Sequence, residues 1–161
     1  MATVNKNLSN FDYSLLPSAK DMKIGIVVAE WNEQITEGLY KGAMQALNNC
    51  GCTNVIRKDV PGSFELPLGA QYLLEYTDLD AVICLGSVIQ GETKHFDFIC
   101  EGTALGIKDV SLKYNKPVIF GVLTDNTLQQ AIDRSGGKHG NKGTEAAVTA
   151  IKMVALQKEL Q

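Results

Sequence analysis

The chain has 161 residues, a net charge of −3 and a pI near 5.4, with 45% hydrophobic and 20% charged residues, which is the make-up of one ordinary globular domain spanning residues 1–161. Fifteen Lys and Arg scattered among eighteen acidic residues offer no field that gathers nucleic acid or anionic lipid, and the longest apolar runs, Ile24–Ala29 and Val118–Leu123, fall far short of the roughly 20 residues that span a bilayer. No basic stretch leads into an apolar one at the start, so the expected setting is the cytoplasm, with Cys50, Cys52, Cys84 and Cys100 reduced.

Residues 1–20 form a polar arm that nonetheless carries Phe11, Tyr13, Leu15 and Leu16, a surface that packs either on its own domain or on a neighbour. Met22–Ala29 is a continuous aliphatic run, the mark of a strand buried on both faces, and Ile35, Leu39, Ala43, Ala46 and Leu47 follow at helical spacing. The Cys50-Gly51-Cys52 pair hints at metal, but only His95 and His139 could join it and the spacing of a four-ligand site is missing, so no metal site is expected. Asn54–Val60 reads as a second strand, ended by Pro61-Gly62, and Leu66–Tyr76 as a helix that accommodates Pro67 in its first turn. Ala81–Leu85 is a third, wholly apolar strand. A helix from about His95 to Tyr114 takes Phe98, Ile99, Leu105 and Val110 as its apolar side, and Pro117–Val122 is the fourth strand. Thr127 to Gln130 has capping-box spacing and opens a helix to about Arg134, stopped by Ser135-Gly136-Gly137. The last helix starts near Lys142, with Ala146, Ala147, Ala150, Ile151 and Val154 on one face. Buried strands alternating with helices predict a three-layer α/β/α sandwich around a parallel sheet, whose ligands sit beyond the carboxyl ends of the strands.

Each strand end carries residues with two readings. Trp31, the only tryptophan, is either a staple at a helix entry or a flat platform for a planar ring. In Pro61–Pro67, Ser63 and Glu65 suit a helix cap and first turn, yet the same turn could hydrogen-bond a polyhydroxylated ligand. Gly86–His95 turns on two glycines into the long helix, where Thr93 is a candidate cap and free N–H groups favour an anion such as phosphate. His95 there is either a surface residue or the proton carrier of the cluster. Arg134 either offsets the dipole at its helix end or forks onto phosphate or carboxylate.

Several familiar sites are excluded. The first strand leads into Ala29-Glu30-Trp31-Asn32 where a dinucleotide fingerprint needs G-x-G-x-x-G. In Gly136–Lys142 the residue Asn141 stands where a phosphate loop needs glycine, and no strand is expected before it. No G-x-S-x-G elbow occurs. An aromatic, a carboxylate, a glycine-rich anion site, one histidine and one arginine remain.

These blocks, in this order, resemble the lumazine synthase family of riboflavin biosynthesis. The resemblance runs through Lys23–Val28 with Trp31-Asn32, Pro61–Pro67, Gly86–His95, Pro117–Thr124, Gln130–Arg134 and Gly140–Ala147, covering roughly residues 22–155. It implies a four-stranded, mainly parallel flavodoxin-like sheet and the condensation of 5-amino-6-(D-ribitylamino)uracil with 3,4-dihydroxy-2-butanone 4-phosphate to 6,7-dimethyl-8-ribityllumazine, with phosphate and water released and no metal or organic cofactor. By the same resemblance Trp31 stacks on the pyrimidine, Ser63, Phe64 and Glu65 hold the ribityl chain, and Ser87, Val88 and Ile89 line the pyrimidine side. Glu92 and Thr93 meet the phosphate, Glu92 through its backbone N–H, while Arg134 binds that phosphate and His95 transfers protons. Phe120 is a wall supplied by a neighbouring subunit, and Lys142 a basic residue near the site. Many family members carry Phe where this chain has Trp31, which keeps stacking and reshapes the pocket.

The resemblance also implies sites built between neighbours of a pentamer, twelve of which close into a sixty-subunit shell. The compact Gly136–Asn141 connection favours the shell, with the arm adding a strand to an adjacent subunit's sheet and riboflavin synthase as a partner. The alternative is a non-catalytic flavin- or lumazine-binding shell protein on the same scaffold.

Overall fold

The computed structural model describes residues 7–161. Its main sheet holds β1 (Lys23–Ala29), β2 (Asn54–Val60), β3 (Ala81–Ile89) and β4 (Val118–Asp125) in the order β2-β1-β3-β4, every pair parallel. That order is the doubly wound one whose switch point, between β1 and β3, opens a crevice at the carboxyl ends. The helices are α1 (Glu33–Asn49), α2 (Leu66–Tyr76), α3 (His95–Tyr114), α4 (Leu128–Arg134) and α5 (Lys142–Glu159).

The three layers follow from strand alternation. Ile24, Ile26 and Val28 of β1 with Ile83 and Leu85 of β3 face Ile35 and Leu39 of α1 and Ala147 and Ile151 of α5. Val27, Ala29, Val82 and Cys84 face Leu66 and Ala70 of α2 and Ile107 and Val110 of α3 on the other side. Both strand faces are buried, so the central strands read as unbroken apolar runs. Burial also pushes the thiols of Cys50, Cys52, Cys84 and Cys100 up, and all four are free.

The structure departs from the sequence expectations in several places. β3 continues past Leu85 through Gly86–Ile89, because β4 also runs on to Asp125 and pairs with that stretch, Ser87 opposite Leu123 and Ile89 opposite Asp125. The Gly136–Lys142 stretch is no bare loop: β5 (Ser135–Gly137) and β6 (Gly140–Asn141) form an antiparallel ribbon. Helix α3 buries Thr103, Ile107 and Val110, whereas Phe98 and Leu105 point outward, 70% and 50% exposed. The expected apolar side therefore mixed two faces.

Residues 7–20 pack on their own chain. Leu8 is buried and its N–H donates to the His139 carbonyl at 2.9 Å, while Phe11, Tyr13 and Leu16 lie half-buried against the α1 and α5 layer. Leu15 alone among them is left 80% exposed, on a short 3-10 turn, Tyr13–Leu15. These residues add no strand to the sheet, and residues 1–6, which belong to the expected strand-adding arm, lie outside the described residues.

Candidate active site

The first wall of the site is the β1–α1 turn. Asn32 adopts the left-handed conformation (φ 62°) and its Nδ2 donates to the Ser87 carbonyl at 2.9 Å, tying this turn to β3. Trp31, one residue earlier, is thereby held out from the core with 73% of its surface exposed. An indole this open is no staple on the domain edge.

After β2, Ser63–Glu65 forms a 3-10 turn that leads directly into α2. Ser63 is not the expected cap of α2. Glu65 holds that position without a side-chain bond, and Ser63 is buried, its carbonyl accepting from Thr103 Oγ1 at 3.1 Å. Two close approaches require glycine here. A Cβ on Gly86 would stand 2.6 Å from Ser63 Oγ, and one on Gly102 of α3 2.7 Å from Phe64 Cε2. The turn thus sits against β3 and α3, with Phe64 and Glu65 exposed toward the crevice.

The third wall is the end of β3. Ser87 is 2% exposed and its Oγ has no hydrogen-bond partner among the described residues, while Val88 and Ile89 are half-buried. Gly91–Lys94 then turns into α3. Lys94 occupies the cap position with no side-chain cap bond, and Thr93 Oγ1 accepts from the His95 N–H only at 3.4 Å. The Asp97 N–H donates to the Lys94 carbonyl at 3.0 Å, so the amino end of this 20-residue helix, beside the exposed His95, is only partly open.

These walls enclose a cleft of about 510 Å³ at the carboxyl end of the sheet. It brings together nine of the expected residues: Trp31, Ser63, Phe64, Glu65, Ser87, Val88, Ile89, Thr93 and His95. Asn32, Phe96 and Ile99 line it too and were not singled out. Ile99 stands four residues after His95 and three after Phe96, the spacings of neighbours on a helix surface, and that periodicity was the available signal. Among the described residues, no cysteine or lysine lines the cleft. It offers a ring platform, a carboxylate, a helix amino end and one imidazole, a set suited to a planar polyol-bearing ligand and proton transfer.

Four expected residues lie elsewhere. Glu92 is exposed and outside the lining. Phe120 sits half-buried on β4, against the α2 and α3 layer. Lys142 opens α5, its Nζ donating to Glu145 Oε1 at 2.8 Å. Arg134 closes α4, with Nη1 donating to the Gln130 carbonyl at 3.0 Å and lying 3.8 Å from Asp125 Oδ1. Burial pushes the Asp125 carboxyl up, while the Arg134 charge draws it down. None of these side chains lines the cleft of its own chain.

The family model for 6,7-dimethyl-8-ribityllumazine synthase matches residues 21–158. A 6,7-dimethyl-8-ribityllumazine synthase of Flavobacterium johnsoniae is 60% identical over 161 residues, covering 99% of this chain and 85% of that protein. Its counterpart from Cytophaga hutchinsonii is 59% identical over 157 residues, 96% and 98% of the two chains. The one from Porphyromonas gingivalis is 53% identical over 160 residues, 98% and 99% of the two.

Proposed function

The chain belongs to the 6,7-dimethyl-8-ribityllumazine synthase family, and from that membership we propose how its cleft works. The protein is a transferase of riboflavin biosynthesis that condenses 5-amino-6-(D-ribitylamino)uracil with 3,4-dihydroxy-2-butanone 4-phosphate, releasing phosphate and water. An amine must meet a ketone, phosphate must leave, and ring closure must lose water, so the reaction needs proton transfer and anion stabilisation more than a covalent nucleophile. Holding two small molecules in register supplies much of the acceleration, because orientation replaces several kcal/mol of entropy.

The observation that carries this reading is the convergence of Trp31, Glu65, Ser87 and His95 from four separate segments into one 510 Å³ cleft. In our assignment the indole of Trp31 stacks on the pyrimidine. Ser63, Phe64 and Glu65 hold the ribityl chain, and Ser87, Val88 and Ile89 flank the ring. Thr93 and the backbone N–H of Glu92 receive the phosphate at the α3 amino end, and His95 carries the proton.

Phe120, Arg134 and Lys142 stand away from their own chain's cleft, so they serve the cleft of an adjacent subunit. The protein works as a homo-oligomer. Phe98, Leu105 and Leu112 support this, since they recur every seventh residue along α3 and are 70%, 50% and 73% exposed, an unpartnered seam on a helix whose other side is already buried. We assign a pentamer that closes with others into a sixty-subunit shell, the assembly that the compact β5–β6 connection favours, and riboflavin synthase as the partner that consumes the product. No described helix is long and apolar enough to cross a membrane, and we assign the protein to the cytoplasm.

The test mixes the purified protein with both substrates and follows the lumazine absorbance. Turnover well above the spontaneous reaction is expected, and its absence would leave the non-catalytic binding protein as the reading.

A further inference from the structure

A carboxylate that the reaction does not use directly lies behind Arg134. Asp125 ends β4 opposite Ile89, and its main-chain carbonyl accepts from the Gln90 N–H at 2.9 Å, which fixes it to the strand that forms one wall of the cleft. Its side chain is only 8% exposed, and Oδ2 is buried with no hydrogen-bond partner among the described residues. Among the described residues the one cation within ion-pair distance is Arg134, whose Nη1 stands 3.8 Å from Oδ1.

This arrangement is poor as a stability device. Burying a carboxylate is costly, and a 3.8 Å contact to the guanidinium of an arginine whose side chain is 27% exposed, with the second oxygen unsatisfied, recovers only part of that cost. It is well suited to aiming the arginine. Nη1 is held between the Gln130 carbonyl and Asp125, whereas Nε and Nη2 make no hydrogen bond among the described residues. One edge of the planar fork is tied down, and the other stays open for a bidentate oxyanion.

We propose that Asp125 is a positioning residue for the known reaction: it holds the Arg134 guanidinium by its Nη1 edge so that the free edge faces the phosphate of the four-carbon substrate. This rests on the assignment of Arg134 to phosphate. Asp125 touches no substrate. Its effect reaches the reaction only through Arg134.

The test compares D125N, R134A and the double variant, each assembled as the wild type by native mass, in steady-state assays with both substrates and with inorganic phosphate as inhibitor. In D125N the KM for the phosphorylated substrate and the phosphate inhibition constant both rise about tenfold, while the KM for the ribitylaminouracil stays within about twofold. The melting temperature of D125N is equal to or above the wild type's, because an unsatisfied buried charge is removed. In the R134A background D125N adds nothing further to the phosphate-dependent constants. If D125N does not assemble, D125T is the replacement variant and is read the same way.

Unchanged or lower phosphate-dependent constants in D125N beside raised ones in R134A would overturn the positioning role and leave Arg134 in place. A D125N that loses melting temperature and shifts both KM values together would mark Asp125 as merely structural. If R134A itself leaves the phosphate-dependent constants unchanged, the assignment of Arg134 fails, and the role of Asp125 falls with it.

Discussion

His95 owes its place to a junction rather than to a bond. It is the first residue of α3 and exposed, and among the described residues its amide's one side-chain hydrogen bond is to Thr93 Oγ1 at 3.4 Å. Its removal therefore leaves the fold intact and acts on chemistry alone. H95A is expected to lose the roughly 10²- to 10⁴-fold typical of acid–base help, or somewhat less, with the melting temperature unchanged; wild-type kcat would remove the histidine from the mechanism. Trp31 presents the complementary case. Because the indole is 73% exposed, W31A costs little stability but loses the platform, and the KM for the ribitylaminouracil should rise about three- to tenfold. W31F should keep most of the affinity, and equal KM values for wild type and W31A would reject stacking. Residues of this kind were legible because their types are scarce and they fall at strand ends. Asn32 was not, since its left-handed backbone and its bond to the Ser87 carbonyl depend on a strand fifty-five positions away, a contact without a local signature.

At the scale of elements, β1, β2, α1 and α2 could be drawn from the sequence because an apolar run or a 3.6-residue period is a local property. The end of β3 could not. Gly86-Ser87 looks like a turn in isolation and becomes strand only because β4 pairs with it. The β5–β6 ribbon escaped for a related reason: three glycines in Gly136–Gly140 carry no side-chain alternation, and two of them take positive φ values of 125° and 84°. What stabilises this ribbon is Asn141. Its Oδ1 caps α5 by accepting from the N–H groups of Gly143 and Thr144, and its Nδ2 donates to the carbonyls of Gly38 and Ser135. N141A would orphan buried or half-buried groups on three elements and is expected to cost about 2–4 kcal/mol, read from denaturant unfolding at fixed protein concentration. A change below about 0.5 kcal/mol, the range of an ordinary surface substitution, would show that these bonds do not hold the ribbon.

For the whole molecule, the cleft is incomplete without a second copy under the proposed assignment, so assembly and turnover should be lost together. Replacing Leu105 and Leu112 by Lys puts two charges into the exposed α3 seam, outside the cleft lining. The double variant is expected to sediment as smaller species and to lose most activity while keeping its helical signal. Full activity in a monomer would show that each cleft works alone. The sequence carried this only through the resemblance to a family, since an exposed heptad and a buried one look alike until the fold assigns each to a face; the mixing of Phe98 and Leu105 with Val110 on one expected side is that ambiguity in practice.

The arm's attachment also sets an order of events. The Leu8 N–H reaches the His139 carbonyl, and Ser9 Oγ accepts from the N–H of Asn141, 132 positions further on. During synthesis this segment therefore has no place to dock until residues 135–141, more than a hundred positions later, have emerged and formed the ribbon. Contacts of such sequence separation form late and contribute little to the folding barrier's local nucleus. The Leu8 and Asn141 amides should thus exchange hydrogen well before those of β1 and β3, and a protease acting on a freshly made chain should cut at the arm first, while the core is already closed.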